Sequence, residues 1–458
     1  MTDEDNVLGQ AVKVCPYIGR GRSDIVLVLH IMIKNFGKVE SADIALNDLV
    51  VFVGNNNSGK TMVMQLIYGI REKLRNFPVT DTGVKKSDLN GQYLIRCAQD
   101  WFRAIEVQIN DYLAEHKSQI IKSIFGISIS VEEMRIALEC TESAYFVSSV
   151  SECQSRETGE PRTEFNIDTR QYEHGENVKS YKCQIPGRDG LEDGMKAALQ
   201  VVWNIILSGK NSADAGQLFL PASRSGLQLL YKQYFAGEAG GNFVMPVKDF
   251  LRFLQLYAQE KQLDELRSEL LEFGEEHLIQ GKVVQEGDET FYFDRQVGKP
   301  VSLYIASSMI HELTPFIKAL SAARRIDWLY CDEVENSLHP LLQREMARWL
   351  IRMVNAGIHV IVSSHSDTMA SRLNNLFMLT YLNRKNANFE LLSELGLKEA
   401  DLLHSDMKAA VYEFSSGKKG KTAVEKLDFI SHPLMGYDFK LFGCNLDKLY
   451  DEADKITR

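Results

Sequence analysis

Residues 54–61 combine a glycine-rich loop with a lysine and a hydroxyl. In order they are Gly54, Asn55, Asn56, Asn57, Ser58, Gly59, Lys60 and Thr61. They fit the pattern G-x-x-x-x-G-K-[ST] without a mismatch. Glycines let the backbone curl so that successive N–H groups point at one anion, and the lysine would reach the β- and γ-phosphates. The threonine hydroxyl would hold Mg²⁺, so these residues predict a nucleotide-binding loop.

The flanks of this loop have the patterns of a strand and a helix. Leu49 to Val53 is an apolar run that predicts a buried strand, and apolar residues recur at a helical spacing from Met62 to Ile70. A helix beginning near Gly59 would add its positive end to the anion site. An ordinary glycine turn is the alternative, but the eight-residue pattern rarely occurs by chance with both flanks correct.

Two carboxylates follow a second predicted strand, Ile326 to Asp332. Asp332 ends the strand and Glu333 comes directly after it. In a chain with a phosphate-binding loop, this pair fits a Walker B motif. Asp332 would bind the Mg²⁺ shell, and Glu333 would polarise the attacking water.

A histidine follows a third predicted strand. Ile358 to Val362 is apolar, and Ser363, Ser364 and His365 come at its end. His365 lies one helix and one strand after the carboxylates, so it is predicted to reach the γ-phosphate or the water. A purely structural histidine is the alternative.

The loop, the run DEVENSLHP and the run IVSSHS, in this order, resemble the ABC-type ATPase heads of the RecF, SMC and OLD group. The resemblance implies an α/β fold: a mixed central sheet flanked by helices, an antiparallel β layer, and helical and β insertions. It implies that Lys60 and Thr61 bind phosphate and Mg²⁺ and that Asp332 binds Mg²⁺. Glu333 would be the catalytic base, and His365 the switch histidine.

The same resemblance implies a signature helix that caps the ATP bound to the opposite subunit. The family sequence is close to L-S-G-G-Q, and the best match is ASSMI at 306–310, in which Ser307 and Ser308 would bind the partner's γ-phosphate. Met309 stands where the family has glycine, which predicts slower hydrolysis. A plain helix cap at either serine is the alternative. Ser337 and Leu338 would lie in the D-loop, which meets the other subunit. The Q-loop glutamine has three possible matches: Gln92, Gln99 and Gln108.

A further candidate follows the apolar run at 217–220, which predicts another buried strand. The residues PASRSG come at its carboxyl end, where open α/β sheets place ligands, so Arg224 is a candidate contact for phosphate or for another subunit. A solvated loop arginine is the alternative. The phrases LFLPASRSGL and IASSMIHEL resemble standalone ATPases of bacterial anti-phage defence modules.

Local patterns divide the chain into six predicted parts. They are an N-terminal part of the head with the P-loop (1–75), a helical and β insertion (76–215), a core strand and loop (216–230), a helical insertion (231–290), the C-terminal part of the head (291–415), and a C-terminal hairpin and helix (416–458). Residues 62–122 are mostly helical by pattern, and 141–187 predict a β meander. A hairpin is predicted over 409–430 around the basic turn 418–421, and a closing helix over 446–456.

Composition limits the partners and the compartment. The 458 residues are 45% hydrophobic and 25% charged, which is ordinary for a globular protein with a large core. The net charge of −10 disfavours a broad nucleic-acid surface, although a local basic patch stays possible. No apolar run has membrane-spanning length, and the acidic start lacks a signal-peptide core, so we expect a cytoplasmic protein without membrane contact. Seven scattered cysteines predict free thiols.

Together these features predict an ATPase that dimerises head to tail on ATP and Mg²⁺, as a homodimer or a higher oligomer. It would act as an ATP-driven switch or scaffold for a separate effector, a nuclease or toxin, in anti-phage defence. The segment after His365 is too short for the nuclease domain of OLD-type proteins, which places the effector on another polypeptide. A RecF/SMC-like DNA repair or maintenance ATPase is the alternative. A transporter energy subunit and a scaffold that binds ATP without useful turnover are weaker hypotheses.

Overall fold

The computed structural model describes most of the chain. The described residues are 27–80, 84–86, 92–140, 144–154, 163–173, 177–186, 191–208, 216–237, 242–287, 289–295, 298–385, 389–417, 420–432, 435–440, 452 and 454–455. The closing helix predicted over 446–456 falls almost entirely outside them, as do two lysines of the predicted basic turn, Lys418 and Lys419.

Strands and helices alternate through much of the described chain. The strands are β1 (Leu27–Phe36), β2 (Val39–Ala45), β3 (Leu49–Gly54), β4 (Val84–Lys86), β5 (Gln92–Cys97), β6 (Glu133–Cys140), β7 (Ala144–Gln154), β8 (Thr163–Glu173), β9 (Asn177–Pro186), β10 (Gly216–Leu220), β11 (Gly281–Glu286), β12 (Glu289–Asp294), β13 (Pro300–Ser302), β14 (Ile326–Cys331), β15 (His359–Ser364), β16 (Ala409–Ser416) and β17 (Thr422–Leu427). The α-helices are α1 (Lys60–Arg75), α2 (Gln99–Phe125), α3 (Leu191–Ser208), α4 (Arg224–Phe235), α5 (Met245–Gln255), α6 (Glu265–Phe273), α7 (Ser308–Ser321), α8 (Pro340–Asn355), α9 (Asp367–Lys385) and α10 (Phe389–Glu394).

Nine of the described strands form one mixed sheet, in the order β10-β14-β15-β3-β16-β17-β2-β1-β6. Strand β3 pairs in parallel with β15 on one side and with β16 on the other, and β15 continues in parallel to β14 and β10. Strand β16 then turns back into antiparallel β17, which is the predicted hairpin. Every residue of β3 and β14 is buried, as expected for strands covered on both faces. The predicted mixed α/β fold is confirmed.

The register of the parallel strands brings their carboxyl ends to one edge. Val53 of β3 lies opposite Ser364 of β15, and Val362 of β15 lies opposite Cys331 of β14. The glycine-rich loop, the histidine and the carboxylate pair follow these three ends. Residues far apart in sequence are therefore neighbours at this edge of the sheet.

Helix α8 makes the crossover between β14 and β15. Pro340 occupies its first turn, where a missing N–H costs nothing, and the His339 side chain accepts a hydrogen bond from the next free N–H. Met346, Trp349, Leu350 and Met353 form its buried face. An amphipathic helix packs against the sheet through such a face. The chain can then return in the same direction, so β14 and β15 pair in parallel.

Two smaller antiparallel sheets accompany the central one, in the orders β4-β5-β7-β8-β9 and β11-β12-β13. Strands β7, β8 and β9 are the predicted meander. Strand β5 contradicts the mostly helical pattern over 62–122, because Tyr93, Leu94 and Ile95 are buried where β5 pairs with β7. A short apolar run fits either structure, and here the long-range partner strand decides.

The chain packs as two compact units. The smaller comprises Met1–His30, Arg71–Glu115 and Arg135–Ala215, and the larger comprises Ile31–Ile70, His116–Met134 and Gly216–Arg458. In the smaller unit the buried indole of Trp203 donates a hydrogen bond to the Leu74 carbonyl at 2.7 Å. In the larger unit one continuous apolar core joins the parallel strands to α7 and α8. The predicted loop, carboxylates, histidine and signature-like serines all belong to the larger unit.

In the described part of the chain, no helix combines the length and the apolar composition that a membrane span needs.

Candidate active site

The glycine-rich loop connects β3 directly to α1. Gly54 has a φ of +150°, and a Cβ at this position would lie 2.4 Å from the Phe414 carbonyl oxygen of β16. Gly59 has a φ of +96°, and Asn57 lies in the left-handed region at +59°. A side chain at either glycine would therefore be strained, which explains why the curled loop needs glycine at both ends.

Lys60 is folded back over this loop. Its Nζ donates hydrogen bonds to the carbonyl oxygens of Gly54 at 2.7 Å and Asn55 at 2.9 Å. Burial lowers the pKa of Lys60, while the charges of Asp332, Glu335 and Glu333 oppose that shift. The buried ammonium is thus held by loop oxygens that phosphate oxygens could replace.

Thr61 and Asp332 meet at the edge of the sheet. The Thr61 hydroxyl donates to the Asp332 carboxylate, with oxygen separations of 2.8 and 3.0 Å. Ser363 at the end of β15 also donates to Asp332, at 2.5 Å. Hydroxyl and carboxylate oxygens are the hard ligands that Mg²⁺ prefers, so the donor set fits this ion. The contact between Ser363 and Asp332 is not predicted from the sequence, where the only hint of it is that Ser363 stands at the end of a neighbouring strand.

Glu333 has a strained backbone. Its φ is +49°, which is uncommon for a residue other than glycine. Its N–H donates to the Ser363 hydroxyl at 2.9 Å, and its carbonyl accepts from Arg224 at 3.3 Å. Contacts on both sides therefore hold a conformation that costs energy, which is a common feature of functional residues.

His365 is tied to the carboxylate segment by Glu335. The His365 N–H donates to Glu335 Oε1 at 2.7 Å, and its ring Nδ1 lies 3.5 Å from the same oxygen. The Glu335 side chain is buried, whereas about a third of the histidine side chain is exposed (34%). No role for Glu335 is predicted from the sequence, where the only hint of one is that a further acidic residue stands two positions after Glu333.

The signature-like serines lie at the start of α7. Ser307 occupies the N-cap position, as the alternative interpretation expects, although its side chain makes no capping hydrogen bond. Ser307 and Ser308 are both exposed. They follow two large exposed apolar residues, Tyr304 (56%) and Ile305 (79%). Met309 is half-buried and packs against the core.

The two predicted D-loop residues differ. Ser337 is exposed and has a φ of +55°, whereas Leu338 is buried in the core of its own head. The three possible Q-loop glutamines lie in the smaller unit. In the predicted basic turn, Lys421 donates a hydrogen bond to Asn35.

Both sequence-based alternatives for Arg224 are wrong. The side chain is only 1% exposed, so it is neither a solvated loop arginine nor a contact for another subunit or a dissolved phosphate. Its guanidinium pairs with Glu312 of α7, with Nε 2.7 Å from Oε2. The deciding partner is remote in sequence, so local pattern could not reveal it.

Comparisons with known proteins cover both halves of this site. A family model described as an AAA ATPase domain matches residues 28–193, which include the glycine-rich loop. A second model matches residues 213–370, which include Asp332, Glu333 and His365. Its description is an AAA domain, with a candidate AbiEii toxin of a type IV TA system. Among curated proteins there is no match.

Several solved heads of SMC proteins are similar at low identity. An SMC head bound to the C-winged helix domain of ScpA is 11% identical, with a TM-score of 0.37, covering 88% of this chain and 97% of its own. The SMC head domain from Thermotoga maritima is 11% identical, with a score of 0.34 and coverages of 88% and 99%. An SMC head with an extended coiled coil, bound to the C-terminal domain of ScpA from Pyrococcus furiosus, is 10% identical, with a score of 0.36 and coverages of 94% and 99%.

The first match includes the glycine-rich loop and the second includes the two carboxylates, and both follow strands that end at the same edge of the sheet. Both matches describe AAA domains, the first of them an ATPase domain, and the chain is an ATP-hydrolysing enzyme with a P-loop.

Proposed function

We propose that two copies of this head close on each other head to tail, with an Mg²⁺–ATP between each loop and the partner's α7. The observation that carries the proposal is the separation of the site into two parts. The residues from the loop, β14 and β15 are already assembled within one head, whereas Ser307 and Ser308 are exposed at the start of a helix. Free N–H groups at a helix start bind a phosphate readily, and the two serines at this helix start are exposed.

Within one head, each residue has a distinct role toward the substrate. Lys60 would exchange the carbonyls of Gly54 and Asn55 for oxygens of the β- and γ-phosphates. Thr61 and Asp332 would hold the Mg²⁺ that accompanies ATP. Glu333 would orient and deprotonate the attacking water, and His365 would contact the γ-phosphate or that water.

Closure would then store the energy of ATP binding, and hydrolysis would release it. Exposed Tyr304 and Ile305 beside the two serines offer apolar area that a second copy would cover. Met309 keeps a side chain at a position of close approach, which favours slow hydrolysis and a long-lived closed state.

The closed state would control a separate effector, a nuclease or toxin, in anti-phage defence. Two observations support this output. The phrases around Arg224 and Ser308 resemble standalone defence ATPases, and the family matched over 213–370 carries a toxin–antitoxin description.

The oligomeric state under ATP tests this proposal. We expect Glu333→Gln to bind Mg²⁺–ATP without hydrolysing it and to shift from monomer mass to dimer mass in light scattering. Lys60→Ala should stay at its nucleotide-free mass, because it cannot grip the phosphates. A Glu333→Gln protein that binds ATP yet keeps the same mass at every concentration would contradict the head-to-tail model.

A further inference from the structure

Arg224 is a large, almost fully buried charged side chain that the proposed chemistry does not use. It is the first residue of α4, and its side chain is 1% exposed. We infer that Arg224 is a positioning residue that couples Glu333 to the start of α7, so that the two parts of the ATP site move together. The inference rests on the proposed function, because α7 is assigned there to the partner's ATP.

One end of the guanidinium holds the carboxylate segment through its backbone. Arg224 Nη1 donates to the Asp332 carbonyl at 2.9 Å, and Nη2 donates toward the Glu333 carbonyl at 3.3 Å. These carbonyls lie on either side of the residue whose φ is +49°. A planar guanidinium fixes two acceptors at once, so it can hold this strained turn in one geometry.

The other end holds α7. Arg224 Nε lies 2.7 Å from Glu312 Oε2 and donates toward the Glu312 carbonyl at 3.2 Å. One turn along α4, Gln228 donates to the His311 carbonyl at 2.5 Å. Glu312 lies about one helical turn after Ser308, and α7 is buried from Ile310 to its end. Because this part of α7 is tightly packed, a displacement at the start of the helix would also displace Glu312 and, with it, Arg224.

Stability alone is a poor explanation for this ion pair. Burial raises the pKa of Glu312, and the positive charge of Arg224 opposes that rise. Two charges removed from water recover little net free energy, and apolar side chains of the same volume usually stabilise as well or better. The value of the pair is therefore geometric: it joins two backbone segments that belong to different ATP sites in a head-to-tail dimer.

Two variants and a matched control test the inference. Arg224→Lys keeps the positive charge opposite Glu312 but loses the planar guanidinium that donates to two carbonyls at once. The double variant Arg224→Met/Glu312→Gln removes both charges, so that neither is left buried without its partner. Arg348→Lys is the control, because Arg348 also makes a buried ion pair, with Asp401 at 2.9 Å, in another part of the head. Thermal unfolding of all three variants is measured beside ATPase activity.

We expect kcat to fall at least about tenfold in both Arg224 variants, with KM for ATP unchanged, because a misplaced catalytic group costs rate and not binding. Arg348→Lys should keep wild-type kcat at a comparable loss of melting temperature. When Arg224→Lys is added to Glu333→Gln, ATP-dependent dimerisation should persist, since the start of α7 is intact.

Wild-type kcat in either Arg224 variant would overturn the inference, and so would a loss of activity that merely follows melting temperature across all three variants. The proposed function fails separately, through absence of dimerisation in Glu333→Gln alone. The two failures are therefore distinguishable in one set of proteins.

Discussion

At the scale of single residues, the contact between Glu335 and His365 links the carboxylate segment to β15. Glu335 Oε1 accepts from the His365 N–H and lies near its ring, while Oε2 is buried without a hydrogen-bond partner among the described residues. Glu335 therefore holds the backbone of the histidine in place and puts a carboxylate beside its ring.

Glu335→Gln separates these two effects. The amide oxygen can still accept from the backbone N–H, but the negative charge is lost. We expect kcat to fall about tenfold with little change in KM for ATP or in melting temperature. In a His365→Ala background the same substitution should have almost no further effect, because the two residues act as one unit. Full additivity in this double-mutant cycle would contradict the role given to Glu335.

Gly54 is a second position where adding a single atom, a Cβ, is expected to change both stability and ATP binding. Gly54→Ala would place a Cβ 2.4 Å from the Phe414 carbonyl, at a φ that L residues rarely adopt. We expect a loss of about 2 kcal/mol or more in the free energy of unfolding, with weaker ATP binding, measured by urea unfolding and nucleotide titration.

Gly226→Ala is the control for that measurement. Gly226 lies in α4 with nothing within 4 Å of an added Cβ. Alanine is the better helix former, so this change should leave stability unchanged or raise it by up to about 1 kcal/mol. Equal behaviour of the two variants would show that the loop does not need glycine at 54.

At the scale of elements, α7 connects the signature-like serines to the three-stranded sheet through Lys318. Its Nζ donates to Gln285 Oε1 at 3.0 Å and Thr290 Oγ1 at 2.9 Å, and lies 4.9 Å from the centre of the Tyr257 ring. Burial, followed by the charge of Lys232, lowers the pKa of Lys318 from 10.5 to about 8. The folded state therefore binds the Lys318 proton less tightly than the unfolded state does.

Because of this lowered pKa, the free energy of unfolding is expected to rise with pH in the alkaline range. Below pH 8 the amine is protonated in both folded and unfolded states, so the burial penalty is constant. Between about 8 and 10.5 the unfolded state binds more protons than the folded state, so stability rises with pH. We expect a gain of up to about 3 kcal/mol over that window relative to Lys318→Met, measured by urea unfolding. Parallel curves for the two proteins would contradict the shift.

Elements also show where sequence patterns succeed and where they stop. Apolar runs in the sequence predict β3, β14 and β15. The run at Gln92–Cys97 falls within a region whose pattern is mostly helical, and only its pairing with β7 makes it a strand. The local sequence pattern is sufficient to predict a strand or helix that is buried in the core. It is insufficient for a strand whose formation depends on pairing with a segment remote in sequence.

At the scale of the whole molecule, motif order predicts that Thr61, Asp332 and His365 lie at one edge, because parallel strands bring their carboxyl ends together. The strand register and the contact between Thr61 and Asp332 agree with that placement, which needs no side-chain detail, and the roles of the three residues stay predictions. The same reasoning failed for Arg224, which also follows a strand end but turns inward to Glu312. The six-part division of the chain stays a prediction, as do the catalytic roles.

The central claim is that one triphosphate is gripped at residues 54–61, with its terminal phosphorus facing Asp332 and Glu333. Equilibrium ATP binding and single-turnover hydrolysis, measured on the wild type, Lys60→Ala and Glu333→Gln, test it most directly. The wild type should bind and hydrolyse, Lys60→Ala should lose binding, and Glu333→Gln should bind normally while hydrolysis slows by at least about a hundredfold. Wild-type binding by Lys60→Ala, or wild-type hydrolysis by Glu333→Gln, would contradict it.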